Sequence, residues 1–203
     1  MRQIFYHGNG DAAIDSLCKA FDGLGVKAAQ DRRDVVIHSQ FVRPDQLDRY
    51  VELGLTPSFF TSHVFFWGDA HLLNTGEERA SFISPLAAAK AKGLRFSNHT
   101  DYSITPLNPF MTMWSAMTRQ TRSGRVPGPD QRVDAATALK ALTLDAAWQY
   151  KEENTKGSLE VGKLADLVIL DQNPLTLDPM MIKEIQVLET IKEGKTVYTA
   201  TTR

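Results

Sequence analysis

Two hydrophobic patterns take turns along the first part of the chain. Short apolar runs are each followed by a longer stretch in which apolar residues recur at three- and four-residue steps. The runs are Gln3-Ile4-Phe5-Tyr6-His7, Asp34-Val35-Val36-Ile37-His38, Leu53-Gly54-Leu55-Thr56-Pro57-Ser58 and Leu94-Arg95-Phe96-Ser97-Asn98-His99-Thr100-Asp101. The pattern predicts four strand-then-helix units. The first is a strand near residues 2–7, a loop over Gly8-Asn9-Gly10-Asp11 and a helix from about Ala12 to Leu24, with Asp11 as its N-cap. The second is a strand over Val35–His38 and a helix over Pro44–Leu53, with Pro44 in its first turn and Gly54 at its end. The third is a short strand over Leu55–Phe60, a long loop over 61–75 and a helix from about Glu77 to Lys92. The fourth is a strand over Leu94–Ser97, a loop over His99–Asn108 and a helix through Pro109–Met117. Repeated units of this kind imply parallel strands joined by right-handed crossovers.

After Arg119 the pattern changes. Ser123-Gly124-Arg125-Val126-Pro127-Gly128-Pro129-Asp130 is rich in turn formers. Asp134 and Thr143 are placed to cap helices over Ala135–Leu142 and Leu144–Tyr150. Beyond these, apolar runs at 164–170 and 185–198 are broken by Gly157, Gly162 and the tight-hairpin signal Glu193-Gly194-Lys195. The expected division is an α/β part over 1–152 and a small β part over 153–203.

Composition narrows the function classes. With 42% hydrophobic and 23% charged residues the chain reads as globular, and a net charge of −1 argues against nucleic acid or an anionic membrane as partner. A single cysteine, Cys18, excludes an internal disulfide and sits at helical spacing with apolar neighbours, as a core residue does. No run has the length of a bilayer span, and Met1–Phe5 does not open a signal peptide, so the expected location is cytoplasmic.

The candidate chemistry collects where strands end. In α/β barrels the reacting groups lie on the loops that follow the strands. His7 and His38 each end an apolar strand, and imidazole suits zinc, iron or nickel. An isolated strand-end histidine can equally bond a neighbouring backbone; two in equivalent places on successive strands favour a ligand pair. Asp101 ends the fourth unit, where a carboxylate can bind a metal and take a proton from water, or simply close a turn. His99, two residues earlier, is expected to face the same way and to shuttle a proton or hold substrate. His63, Trp67 and His71 in the 61–75 segment would line a substrate pocket or plug the barrel. Arg79, Arg119 and Arg122 are candidates for anionic groups, against the commoner outcome of a solvated arginine. Gly8-Asn9-Gly10-Asp11 lacks the spacing of a nucleotide-binding loop, and no Ser, His and Asp arrangement suggests an acyl-enzyme. A metal hydrolase leads on these grounds.

The same residues resemble a known family. His7-Gly8-Asn9-Gly10-Asp11-Ala12-Ala13-Ile14-Asp15 resembles the strand-five motif of the amidohydrolase superfamily, in its amidohydrolase-3 branch with N-substituted formamide deformylase-like enzymes. Ile37-His38-Ser39-Gln40 is similar to that branch's strand-six motif, and His63–His71 to its strand-seven segment. His99-Thr100-Asp101 with Pro106 and Pro109 is similar to its strand-eight motif, and Gly157–Val168 to the return into its composite β domain. The resemblance implies the C-terminal half of a metallo-dependent (β/α)8 TIM barrel, strands five to eight, plus part of a small β-sandwich. It implies one or two divalent metals, zinc first, with His7, His38 and Asp101 as ligands. It also implies Asp101 and His99 as catalytic groups, and His63, Trp67, His71 and Arg79 around a small amide-type substrate. The activity implied is hydrolysis of C–N bonds in amides or N-substituted formamides by metal-activated water. The family's strand-one His-x-His pair and strand-four bridging residue have no counterpart here. The expectation for this polypeptide alone is therefore weak metal binding, little activity, and either self-association or assembly with a missing N-terminal half. The alternative is a catalytically incomplete module that only binds or scaffolds.

Overall fold

The computed structural model describes residues 3–201. A four-stranded parallel sheet in the order β1-β2-β3-β4 is built from β1 (Phe5–Gly8), β2 (Val35–His38), β3 (Thr56–Phe59) and β4 (Ser97–Asn98). The connecting helices are α1 (Asp11–Gly23), α2 (Pro44–Leu53), α3 (Ser62–Ser81) and α4 (Leu86–Ala91), and α5 (Pro109–Thr118) follows β4. Two further helices, α6 (Ala135–Leu142) and α7 (Leu144–Gln149), lead to a three-stranded antiparallel sheet. That sheet has the order β5-β6-β7, from β5 (Leu167–Leu170), β6 (Val187–Lys192) and β7 (Lys195–Thr199).

The core lies between the parallel sheet and its helices. Val36 of β2 meets Ile14, Leu17 and Phe21 of α1, Leu47, Tyr50 and Leu53 of α2, and Met113 and Trp114 of α5, all in one buried cluster. Leu47 is fully buried, so truncation to alanine would cost roughly 2–5 kcal/mol. Cys18 belongs to this cluster. Ile182, in a 3₁₀ segment over Pro179–Glu184 between β5 and β6, and Ile185 just after that segment join the cluster, so the antiparallel sheet is anchored through its own connection against α5.

Caps explain most of the boundaries. Gly54 ends α2 in the left-handed conformation at φ 69°, and Asp134 and Asn108 accept backbone N–H groups at the starts of α6 and α5. Glu193 and Gly194 both have positive φ, as a tight hairpin between β6 and β7 requires. Pro57 sits in β3 without disrupting it. Its neighbour Thr56 donates to Asp34 on the β2 side, and β4 begins only opposite Ser58, so no ladder bond is asked of Pro57. The Pro57 carbonyl accepts instead from the Gln149 side chain at 3.0 Å.

Several expectations are corrected. The 61–75 segment is helix, not loop: α3 runs from Ser62 to Ser81, with one non-helical residue, Gly76. The helix expected over 77–92 is split, because Pro85 cannot continue α3 and α4 starts at Leu86. β4 is shorter than Leu94–Ser97 and shifted toward the site. Asp11 is the first helical residue of α1, Gly10 is the cap, and Thr143 makes no side-chain cap bond. Among the described residues, no helix is long and apolar enough to cross a membrane.

Candidate metal centre

Parallel pairing aligns the C-terminal ends of the four strands. Gly8 pairs with His38, His38 with Phe59, and Phe59 with Asn98. His7 therefore stands one residue before the end of β1, His38 at the end of β2, and His99 and Asp101 just past β4. The strand ends turn sharply there. His38 and Ser39 have φ of 71° and 44°, and Asp101 has φ of 50°, a left-handed backbone that non-glycine residues hold only when their surroundings impose it. Ser39 Oγ secures the turn by contacts with the Val36 carbonyl at 3.1 Å and the buried Tyr50 hydroxyl at 3.0 Å.

His38, His99 and Asp101 each offer one ligand atom, and these atoms lie within 4.8 Å of one another. His38 Nδ1 and His99 Nε2 are 3.2 Å apart. His7 lies outside that tight group, exposed, with its ring edge-on to His38 at 4.6 Å between centroids. Burial lowers the His38 pKa, with Asp101 opposing and His7 adding to the shift. Burial likewise lowers His99 to about 4, helped by His38 and His7. Both imidazoles are uncharged at neutral pH, the state that ligation requires. Two nitrogens and a carboxylate at strand ends suit a divalent cation such as zinc.

The α3 residues form a neighbouring row. His63, Trp67 and His71 are spaced by four and share a helix face. His63 Nδ1 and His71 Nε2 are 2.9 Å apart, and the His63 and Trp67 rings are 4.4 Å apart. Burial pulls His63 down to about 4, with His71 contributing, and lowers His71 as well. Phe60, buried just past β3, connects this row to the centre: its ring is 5.3 Å from His99, 5.9 Å from His38 and 5.2 Å from His63.

Arg79 is not brought to the centre. It pairs with Asp11 at 2.9 Å and lies over Phe41 at 5.5 Å, beside a cavity of about 690 Å³ that none of the histidines lines. Arg119 is fully buried and bonded to backbone carbonyls, neither solvated nor facing the centre. Sequence reasoning assigned no role to Phe60, Ser58, Ser97 or Asn98. Ser58 Oγ lies 3.0 Å from His99 Nδ1, and Ser97 Oγ donates to Ser58 at 2.8 Å. Asn98 Oδ1 accepts from Thr61 N and its Nδ2 donates to Thr61 Oγ1, tying β4 to the start of α3. Their signal was small polar residues at strand ends where neighbouring strands are apolar.

The amidohydrolase-3 profile, described as Amidohydrolase family, matches residues 2–198. The chain belongs to the amidohydrolase family. Among curated relatives it is similar to the N-substituted formamide deformylase of Arthrobacter pascens, 29% identical over 96% of this chain and 36% of that protein. Among solved structures it is similar to an uncharacterized metal-dependent hydrolase from Pyrococcus furiosus. The TM-score is 0.71 at 28% identity, over 86% of this chain and 34% of that one. A second, from Pyrococcus horikoshii OT3, gives a TM-score of 0.73 at 26% identity, over 88% of this chain and 35% of that one. The chain thus spans about a third of the length of these relatives, and its parallel sheet with helices matches part of their fold.

Proposed function

We propose that this amidohydrolase-family chain carries part of the metal centre of a hydrolase acting on C–N bonds, in amides or N-substituted formamides. The observation that carries the reading is the meeting of His38, His99 and Asp101 at the aligned strand ends, with His7 against His38. His7, His38 and Asp101 would hold the ion, and zinc fits their donor chemistry. A divalent cation, when bound, supplies Lewis acidity and lowers the pKa of water. The Asp101 carboxylate would accept the proton of the attacking water and return it to the leaving amine. His63, Trp67 and His71 form a wall of rings on α3 suited to an apolar or aromatic amide substituent.

A second reading is a catalytically incomplete binding or scaffold module. It is favoured by the chain's span, about a third of the length of its relatives.

The test is to titrate the purified chain with zinc by calorimetry and to assay release of amine from an N-substituted formamide. Zinc binding that weakens at least tenfold in both Asp101→Asn and His38→Asn supports the metal centre. Binding that is absent, or equal in the variants, overturns it. Turnover lost in Asp101→Asn supports the enzyme; bound zinc without turnover supports the incomplete module.

A further inference from the structure

We infer that Ser58, backed by Ser97, is a positioning residue that fixes the His99 ring with its proton on Nε2. Three adjacent strands supply one hydrogen-bonded row. Ser97 of β4 donates to Ser58 Oγ of β3 at 2.8 Å, Ser58 Oγ lies 3.0 Å from His99 Nδ1, and His99 Nε2 lies 3.2 Å from Nδ1 of His38 at the end of β2. Both serines are buried.

The direction of the row follows from counting protons. A serine hydroxyl has one proton to give and two lone pairs to receive with. Ser58 Oγ already receives the Ser97 proton, so its own proton goes to His99 Nδ1. With a proton on Nδ1, Ser58 would receive two donors and its own hydroxyl would be left without an acceptor in a buried place. A buried polar group left unpaired is destabilising. His99 Nδ1 is therefore an acceptor, and the ring proton sits on Nε2, toward His38. Phe60, stacked on His99 at 5.3 Å and 21°, restrains the ring from turning out of the row.

The consequence concerns what His99 offers the centre. In the metal-free chain it presents an N–H rather than a lone pair toward His38 Nδ1, and so acts as a hydrogen-bond donor. For hydrolysis, a consequence that rests on the metal-hydrolase reading, this N–H would stabilise charge growing on a substrate oxygen that replaces His38 Nδ1 as its acceptor.

The experiment reads the tautomer directly. Long-range ¹H–¹⁵N correlation spectra of the full metal-free chain at neutral pH show which imidazole nitrogen carries the proton, and His99 is assigned by its loss in His99→Gln. The expected result is a single Nε2–H form in the unsubstituted chain. Ser58→Ala should shift it to an average of two forms, and Ser58→Thr, which keeps the hydroxyl, should restore it. A proton on Nδ1 in the unsubstituted chain overturns the inference, as does a pattern unchanged in a folded Ser58→Ala. If Ser58→Ala does not fold, the unsubstituted chain and Ser58→Thr decide. A chain with Nε2–H on His99 that takes up no zinc supports the row while overturning the metal reading.

Discussion

Arg119 shows at the residue scale how a single side chain can organise the support of a site it never touches. It ends α5 in a left-handed conformation at φ 53° and is fully buried. Its guanidinium donates to the carbonyls of Pro127, Ser84, Ser81 and Ile83. Burial draws its pKa down to about 10, so it stays charged at neutral pH. The fork ties the end of α3 and the turn before α4 to the loop at Pro127; Ser84 O also accepts from Leu86 N. Arg119→Met would leave the Ile83 and Pro127 carbonyls without this donor at about 1–3 kcal/mol each, so urea denaturation should show a loss of about 2 kcal/mol or more. Lysine, without the planar fork, should not rescue it. His7 and His38 stood out in the sequence because each closes an apolar run, and Asp101 because it follows His99 at the end of the fourth unit. The sequence could not reveal Arg119, because a solvated arginine and one that holds four carbonyls look alike until the chain folds round them.

His63 and His71 give a pH dependence at the same scale. The His63 pKa falls from 6.5 to about 4, mainly through burial, and that of His71 is also lowered. The unfolded chain therefore binds more protons than the folded one between about pH 6.5 and 4. The stability they contribute is present above the unfolded value and is lost as pH falls through that window. Urea midpoints compared at about pH 7 and about pH 5 should drop, and the drop should be smaller in His63→Gln. An equal drop in that variant would place the pH sensitivity elsewhere.

At the scale of elements, α3 was the least legible part of the fold and the reason is physical. Its face is His63, Trp67 and His71, spaced by four, which is a helical signature. The residues between are aromatic and apolar too, Phe65 and Phe66 among them, so no polar face marks the period. Gly76 then interrupts the helix at φ 79° and ψ 166°, a conformation that is essentially glycine's alone. A side chain there would meet nothing within 4 Å, so Gly76→Ala isolates the backbone cost. The expected loss is about 1–3 kcal/mol in denaturant unfolding, with faster amide exchange in 72–81. No loss would mean that the helix straightens at little cost. By contrast, β2 and α2 follow the sequence residue for residue, since Pro44 and Gly54 punctuate one and a continuous apolar run defines the other.

For the whole molecule, what matters is what its two sheets leave open. Among the described residues, β1 and β4 each have a partner on one side only, and so do β5 and β7. Unpaired strand edges template further pairing unless they are covered or blunted. Apolar groups stand beside them: Phe5 is 40% exposed on β1, Val168 and Ile169 are 50% and 45% exposed on β5, and Val197 and Tyr198 are 61% and 51% exposed on β7. A net charge of −1 supplies little repulsion between copies. The chain should therefore self-associate, with a mass in solution above the 22.6 kDa of one copy and rising with concentration. Light scattering after size exclusion reads this. A lysine at the β7 edge, Val197→Lys, should lower the mass without altering the far-ultraviolet circular dichroism, because charge on an edge strand blocks pairing at little cost to the fold. Asp101→Asn, which lies just past β4 of the parallel sheet and not on the antiparallel one that carries Val197, should leave the mass as it was. A single copy at roughly tens of micromolar, the range in which exposed edges aggregate, would show that these edges are self-sufficient. A mass that persists in Val197→Lys would move the association to the parallel sheet, where β1 and β4 are the remaining edges.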